Sequence, residues 1–242
     1  MDLLCRTVRQ ASFKKSKMSF NVIIRIAIWA VPVLFSIVLH EVSHGWMAYR
    51  LGDDTAKRMG RLTLNPLPHI DPLGTIILPA IMIIMGGPVF GWAKPVPFNP
   101  YNFDRNVNVR NGVMWVGLAG PASNLILAFI SSFVLVAAQR FSPALPQVVY
   151  ISIVELAKVL IIINLVLASF NLIPIPPLDG SRILMRFLPS RYESYFLKLE
   201  RYGFILLIIL LATGSFSKII WMPVQFLYNI FLLIPTILFN AI

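Results

Sequence analysis

Apolar positions run through this chain in long blocks, and the polar positions are gathered between them. Residues 20–51 form the first block, more than the roughly 20 apolar residues that one membrane-crossing helix needs. Gly52 follows, where a helix most readily closes with a left-handed residue. Residues 53–72 are polar, and Gly60-Arg61-Leu62-Thr63-Leu64-Asn65 alternates with the period of a short strand. Residues 73–85 are apolar but short, interrupted by Pro79 and closed by Gly86-Gly87-Pro88, which predicts a short or re-entrant membrane segment. A Pro- and Asn-rich loop over 90–111 carries Trp92 and Lys94 as interfacial anchors. Residues 113–138 and 148–172 predict two full spans, 204–212 a marginal one and 219–239 another good one. The pattern predicts an all-α polytopic membrane protein with about five to six membrane helices or part-helices, and a short β segment near residues 60–65. No internal repeat or separate soluble domain interrupts it. A basic segment, 1–19, precedes a single domain over 20–242.

Composition agrees with a membrane setting. Of 242 residues, 57% are hydrophobic and 13% charged, against about a quarter charged in a soluble domain. The excess of 21 Lys and Arg over 10 Asp and Glu lies between the apolar blocks. It predicts loops held against anionic lipid, with the bilayer rather than nucleic acid as partner. Arg182, Arg186, Arg191, Lys198 and Arg201 outnumber Glu193 and Glu200, which makes that loop cytosolic and the helix before it inward-running. The basic 1–19 segment asks to be cytosolic too, so the direction of the first helix stays open. This segment superficially resembles a secretory signal, but cleavage after the apolar run would remove or truncate the helix carrying His40. The single Cys5 excludes an intrachain disulfide and a multi-cysteine metal site.

Chemistry concentrates at the end of the first apolar block, in His40-Glu41-Val42-Ser43-His44. Two of the three histidines in the chain lie here, four positions apart and therefore on one helix face. Imidazoles at that spacing share a zinc ion, and the intervening glutamate serves as general base without being a ligand. Ionisable groups in apolar surroundings are costly unless paired or used. A third ligand is needed, and no third histidine follows on the same helix, where Met47 and Arg50 stand instead. The candidates are His69, Asp53, Asp54, Asp71, Asp104 and Asp179. Asp179 has a strong claim, because Pro174, Pro176 and Pro177 break the backbone just before it at the end of a span. Irregular backbone at membrane depth is tolerated only inside protein or beside a wet cavity.

His40-Glu41-Val42-Ser43-His44, Gly120-Pro121-Ala122-Ser123-Asn124 and Asn171-Leu172-Ile173-Pro174-Ile175-Pro176-Pro177-Leu178-Asp179-Gly180 together resemble the site-2 protease family of intramembrane zinc metalloproteases. The resemblance covers about residues 20–186 and is to the compact branch without a PDZ or regulatory domain. It implies a zinc-dependent metalloendopeptidase with one Zn2+ per chain, His40, His44 and Asp179 as ligands, and Glu41 as general base. It also implies Asn171 as a substrate-positioning residue, whose alternative is an interhelical hydrogen bond. Ser181 departs from a second glycine common in the family. The expected activity is hydrolysis within or near the transmembrane segment of membrane-anchored proteins, in the plasma membrane, by a multi-pass enzyme. A transmembrane substrate must unwind before attack, and residues 60–65 offer an edge for strand addition. The competing readings are a metal-ion or proton transporter and an inactive relative that binds membrane proteins. An intact Glu41 speaks against the second of these, and the scarcity of ionisable groups in the other spans against the first.

Overall fold

The computed structural model describes residues 28–85, 91–192, 194, 196, 198–199, 202–203 and 215–241. The expectations for the basic segment 1–19, for Cys5, for residues 20–27 of the first helix, for Gly86-Gly87-Pro88 and for the span 204–212 lie outside them. Seven helices carry the described architecture: α1 (Ile28–Arg50), α2 (Thr55–Arg58), α3 (Leu78–Ile84), α4 (Val109–Arg140), α5 (Gln147–Asn171), α6 (Asp179–Phe187) and α7 (Ser215–Asn240). Four of them, α1, α4, α5 and α7, are long and apolar enough to cross a membrane. The chain is an all-α polytopic membrane protein.

Helices α4 and α5 pack along their length, with α7 against both. Ala128, Leu135 and Ala138 of α4 meet Val154, Ala157, Ile161 and Leu165 of α5 and Val224 of α7 in one buried cluster. Alanines at this seam bring the backbones close, which is how helices gain dispersion contact where lipid is as apolar as leucine. The opposite face of α4 exposes Ile126, Ile130 and Val134 at four-residue spacing, as a face turned to acyl chains does.

Packing sets the direction of the first helix relative to the others. Ser36 of α1 lies level with Asn124 of α4, and His44 of α1 level with Val116 of α4, so the two helices run antiparallel. Asn164 of α5 also meets Asn124, and further along the chain Asp179 and Arg182 lie against Gly117, so α5 is antiparallel to α4 as well. Helices α1 and α5 are therefore parallel. The ends that carry the chemistry share one end of the bundle with Lys57, Arg58, Arg61 and Arg182.

Helix α1 ends as expected: the Leu51 amide still donates to the Met47 and Ala48 carbonyls, and Gly52 takes φ of 106°. Residues 72–84 form a short apolar helical unit, a π turn over Pro72–Ile77 leading into α3. Ile76, Ile77, Ile81, Ile83 and Ile84 are all exposed on it, which suits a segment dipping into lipid. Asp71 caps its start by accepting from the Leu73 and Gly74 amides.

The short β segment expected near residues 60–65 is corrected: those residues form a turn and bends, and no strand occurs among the described residues. The alternation there does not track burial. Arg61 is buried, while Leu64 is exposed. Gly60, at φ of 64°, turns the chain, and the Arg61 guanidinium donates to the carbonyls of Pro68, Lys94 and Pro95. One buried cation thus ties this loop to the stretch 91–99.

Candidate metal centre

His40 and His44 lie one turn apart on α1, and both are buried. Asp179 opens α6, immediately after the segment in which Ile175 and Leu178 donate to the carbonyls of Ile173 and Ile175. Its carboxylate oxygen Oδ2 stands 3.2 Å from the Nε2 of each histidine, and the two Nε2 atoms are 3.0 Å apart. These three are the only cluster of histidine, cysteine and acidic side chains with metal-binding spacing among the described residues. Donors around a tetrahedral zinc, each roughly 2.0–2.1 Å from the ion, stand about 3.3 Å apart. The spacing fits.

The hydrogen bonds on the far side of each ring make the fit chemical as well as geometric. His44 Nδ1 lies 2.6 Å from the Val116 carbonyl. A carbonyl only accepts, so Nδ1 carries the proton, and in the neutral imidazole that ligates metals Nε2 presents a lone pair. His40 Nδ1 lies 2.6 Å from Asn124 Oδ1, with the same consequence. Three lone-pair atoms then converge with no proton between them, an arrangement that repels itself unless a cation sits among them.

Helix α4 makes room for the pair by having no side chain at one position. A Cβ on Gly120 would stand 2.4 Å from His44 Nε2 and 2.6 Å from His40 Cε1. Gly120 is thus the spacer that lets the imidazoles of α1 approach α4. Arg182, one turn beyond Asp179 on α6, donates to the other carboxylate oxygen at 3.3 Å, leaving Oδ2 for the centre.

Glu41 is half-buried beside the histidines, and its Oε2 accepts from the Val96 amide at 2.9 Å. The stretch 91–99 therefore passes over the site and holds this carboxylate by its backbone. Asn171 closes α5 with its Nδ2 donating to the Leu167 carbonyl at 3.0 Å, one turn back on its own helix. Ser181, at the departure from the family pattern, donates to the Leu178 carbonyl at 2.7 Å and so braces the first turn of α6.

The rival third ligands are engaged elsewhere. Asp53 is buried and accepts from Thr55, Asn99 and Asn102. Burial alone pushes its carboxyl up, but these hydrogen bonds outweigh it and hold the group below the usual carboxylate range. Asp54 pairs with Arg58 at 3.0 Å, Asp71 caps a helix, and Asp104 lies against Gly52. His69 is buried with Nε2 on the Thr63 carbonyl.

Residues 28–213 match the family described as peptidase family M50. The protein named "Putative zinc metalloprotease YwhC" from Bacillus subtilis (strain 168) is 40% identical over 191 residues, covering 79% of this chain and 83% of its own length. "Putative zinc metalloprotease Rip2" from Mycolicibacterium smegmatis is 32% identical over 187 residues, 76% of this chain and 66% of its own. "Zinc metalloprotease MJ0392" from Methanocaldococcus jannaschii is 27% identical over 167 residues, 68% of this chain and 36% of its own. No solved structure matches the chain.

Proposed function

The chain belongs to peptidase family M50 and is a membrane zinc metalloprotease, and from that premise we propose that it hydrolyses peptide bonds within or near the transmembrane segments of membrane-anchored proteins. The observation that supports this most is the convergence of His40, His44 and Asp179, whose outer hydrogen bonds turn every lone pair inward. These three residues hold one zinc per chain. Zinc, when bound, polarises the scissile carbonyl and brings the pKa of attacking water towards about 7.

The chain's own residues supply the rest. Glu41, held by the Val96 amide, accepts the proton that water loses on attack and returns it to the leaving amine. Asn171 uses one amide hydrogen on Leu167 and keeps the second, with its oxygen, for the backbone of an unwound substrate. Arg182 keeps Asp179 oriented as the substrate displaces water. A transmembrane helix has its backbone groups satisfied internally, so it reaches Glu41 only after local unwinding. The partners are a transmembrane protein substrate and the bilayer, with no nucleic acid.

The enzyme is multi-pass in the plasma membrane, and the end of the bundle that carries the site faces the cytosol. Arg50, Lys57, Arg58, Arg61, Lys94, Arg105 and Arg110 lie in or next to the loops joining α1 to α4, at the same end as the basic stretch after α6.

The test compares wild type with Glu41→Gln against a panel of single-span reporters, measuring bound zinc and reporter cleavage together. We expect equal zinc in both and processing slowed roughly 10²–10⁴-fold in the variant. Equal processing would remove Glu41 as the base. Absence of zinc from the wild type would remove the centre itself.

A further inference from the structure

Asn164 lies in the middle of α5, fully buried, and touches no member of the metal cluster. We infer that Asn164, acting through Asn124, is a positioning residue that sets which nitrogen of His40 faces the metal site. The inference rests on the zinc reading above and goes beyond it, because it assigns a role to two amides on two other helices.

The argument follows the hydrogen bonds outward from a group that cannot change its role. The Leu160 carbonyl only accepts, and Asn164 Nδ2 donates to it at 2.8 Å. The amide of Asn164 is therefore oriented, and its Oδ1 must point to its other neighbour. That neighbour is Asn124, whose Nδ2 donates to Asn164 Oδ1 at 2.7 Å. The Ser36 carbonyl, 3.3 Å away, also accepts from Asn124 Nδ2, so a second backbone group enforces the same choice. Asn124 Oδ1 is left facing His40 Nδ1 at 2.6 Å. An oxygen there demands a proton on Nδ1 and leaves the lone pair on Nε2, which is the atom facing Asp179 and His44.

The alternative orientation is excluded by the same contacts. Turning Asn124 over would set its oxygen against the Ser36 carbonyl and against Asn164 Oδ1. Turning Asn164 over to accommodate it would place oxygen against the Leu160 carbonyl. Either step leaves buried acceptors facing one another, which costs about 1–3 kcal/mol per unsatisfied group. A reversed Asn124 would also leave His40 with its proton on Nε2, where it blocks the ligand position. His44 needs no such relay, because the Val116 carbonyl orients it directly. Metal-binding imidazoles commonly lean on one outer partner, and loss of that partner lowers affinity roughly 10–100-fold. Here the partner is an amide, which can turn over, and Asn164 is what stops it.

The test uses the full-length protein in detergent, with zinc affinity by chelator competition and the visible spectrum of the cobalt-substituted site as readouts. Asn124→Leu keeps the volume but removes the acceptor, and should weaken zinc roughly 10–100-fold. The cobalt spectrum of Asn124→Leu should depart from wild type, because His40 loses the partner that fixes its ligating nitrogen. Asn164→Leu should weaken zinc although it touches no ligand. Ser36→Ala, by contrast, removes only the hydroxyl that accepts from Asn164 Nδ2 at 2.8 Å, leaves the Leu160 and Ser36 carbonyls to orient both amides, and should stay close to wild type. Should Asn124→Leu fail to fold, the Asn164→Leu and Ser36→Ala pair still decides the matter. Wild-type affinity in Asn164→Leu, equal loss in Ser36→Ala and Asn164→Leu, or an unchanged cobalt spectrum in Asn124→Leu each overturns the inference. Failure of the wild type to bind zinc would instead overturn the metal reading on which it rests.

Discussion

Replacing Gly120 with alanine adds one methyl group, and the structure says where it would go. The new Cβ would stand 2.4 Å from His44 Nε2, 2.5 Å from His44 Cε1 and 2.6 Å from His40 Cε1. Comfortable contact begins at about 3.5 Å, so the rings or the helix must give way by about 1 Å. Neither ring moves freely, since Asn124 and the Val116 carbonyl each hold one by its outer nitrogen. A working site tolerates about 0.5 Å of misplacement, and a 1 Å error costs roughly 100-fold in rate. That corresponds to about 2.7 kcal/mol. The helix itself responds with the opposite sign, because alanine is better than glycine in a helix interior by about 0.8–1.0 kcal/mol. Gly120→Ala should therefore fold, retain its metal-free thermal midpoint, and lose zinc and reporter cleavage by two orders of magnitude. Metal analysis, a single-span cleavage assay and thermal unfolding with and without zinc measure the three quantities. A variant with zinc content and cleavage within threefold of wild type would refute the steric argument.

Removing zinc with a chelator should abolish cleavage and lower the unfolding temperature, because three buried lone pairs lose the cation between them. Zinc at 100 times its Kd should restore about 2.7 kcal/mol by linkage, and Asp179→Ala should show neither the loss nor the recovery. Asp53→Asn places an amide nitrogen among the donors of Thr55, Asn99 and Asn102, and should cost about 1–3 kcal/mol of stability at neutral pH. Because the Asp53 carboxyl is held below its ordinary value, its contribution is fully present above the unfolded pKa of about 3.9. It fades as pH falls through the folded value, so the stability gap between wild type and Asp53→Asn should close in acid. A gap independent of pH would argue against an ionised Asp53.

Much of the fold was legible because membranes simplify the code. Runs of roughly 20 apolar residues span a bilayer whatever packs beside them, and α1, α4, α5 and α7 lie where those runs are. The end of α1 at Gly52 was legible for a local reason too, since a left-handed cap depends on one residue. Residues 60–65 misled. Their alternation suggested a strand, but the burial of Arg61 reflects carbonyls of Lys94 and Pro95, about thirty positions away, which a periodicity of two does not record.

The candidate site divides the same way. A helix repeats every 3.6 residues, so His40 and His44 meet on one face wherever α1 is placed, and Glu41 comes with them. That much the sequence by itself determined. Which of six candidates completes the trio depended on distance through space. Asp53 lies nearer in the chain but turns to Thr55 and Asn99, while Asp179 arrives from beyond two further spans. Gly120, Asn124 and Asn164 show the remaining limit. Their side chains, or the lack of one, matter only through what α1 brings against them, and the direction of a hydrogen bond is set by the last carbonyl in the line. The motif was local chemistry; the third ligand, the space for the rings and the inward turn of their lone pairs were decided by the packing of four helices, α1, α4, α5 and α6.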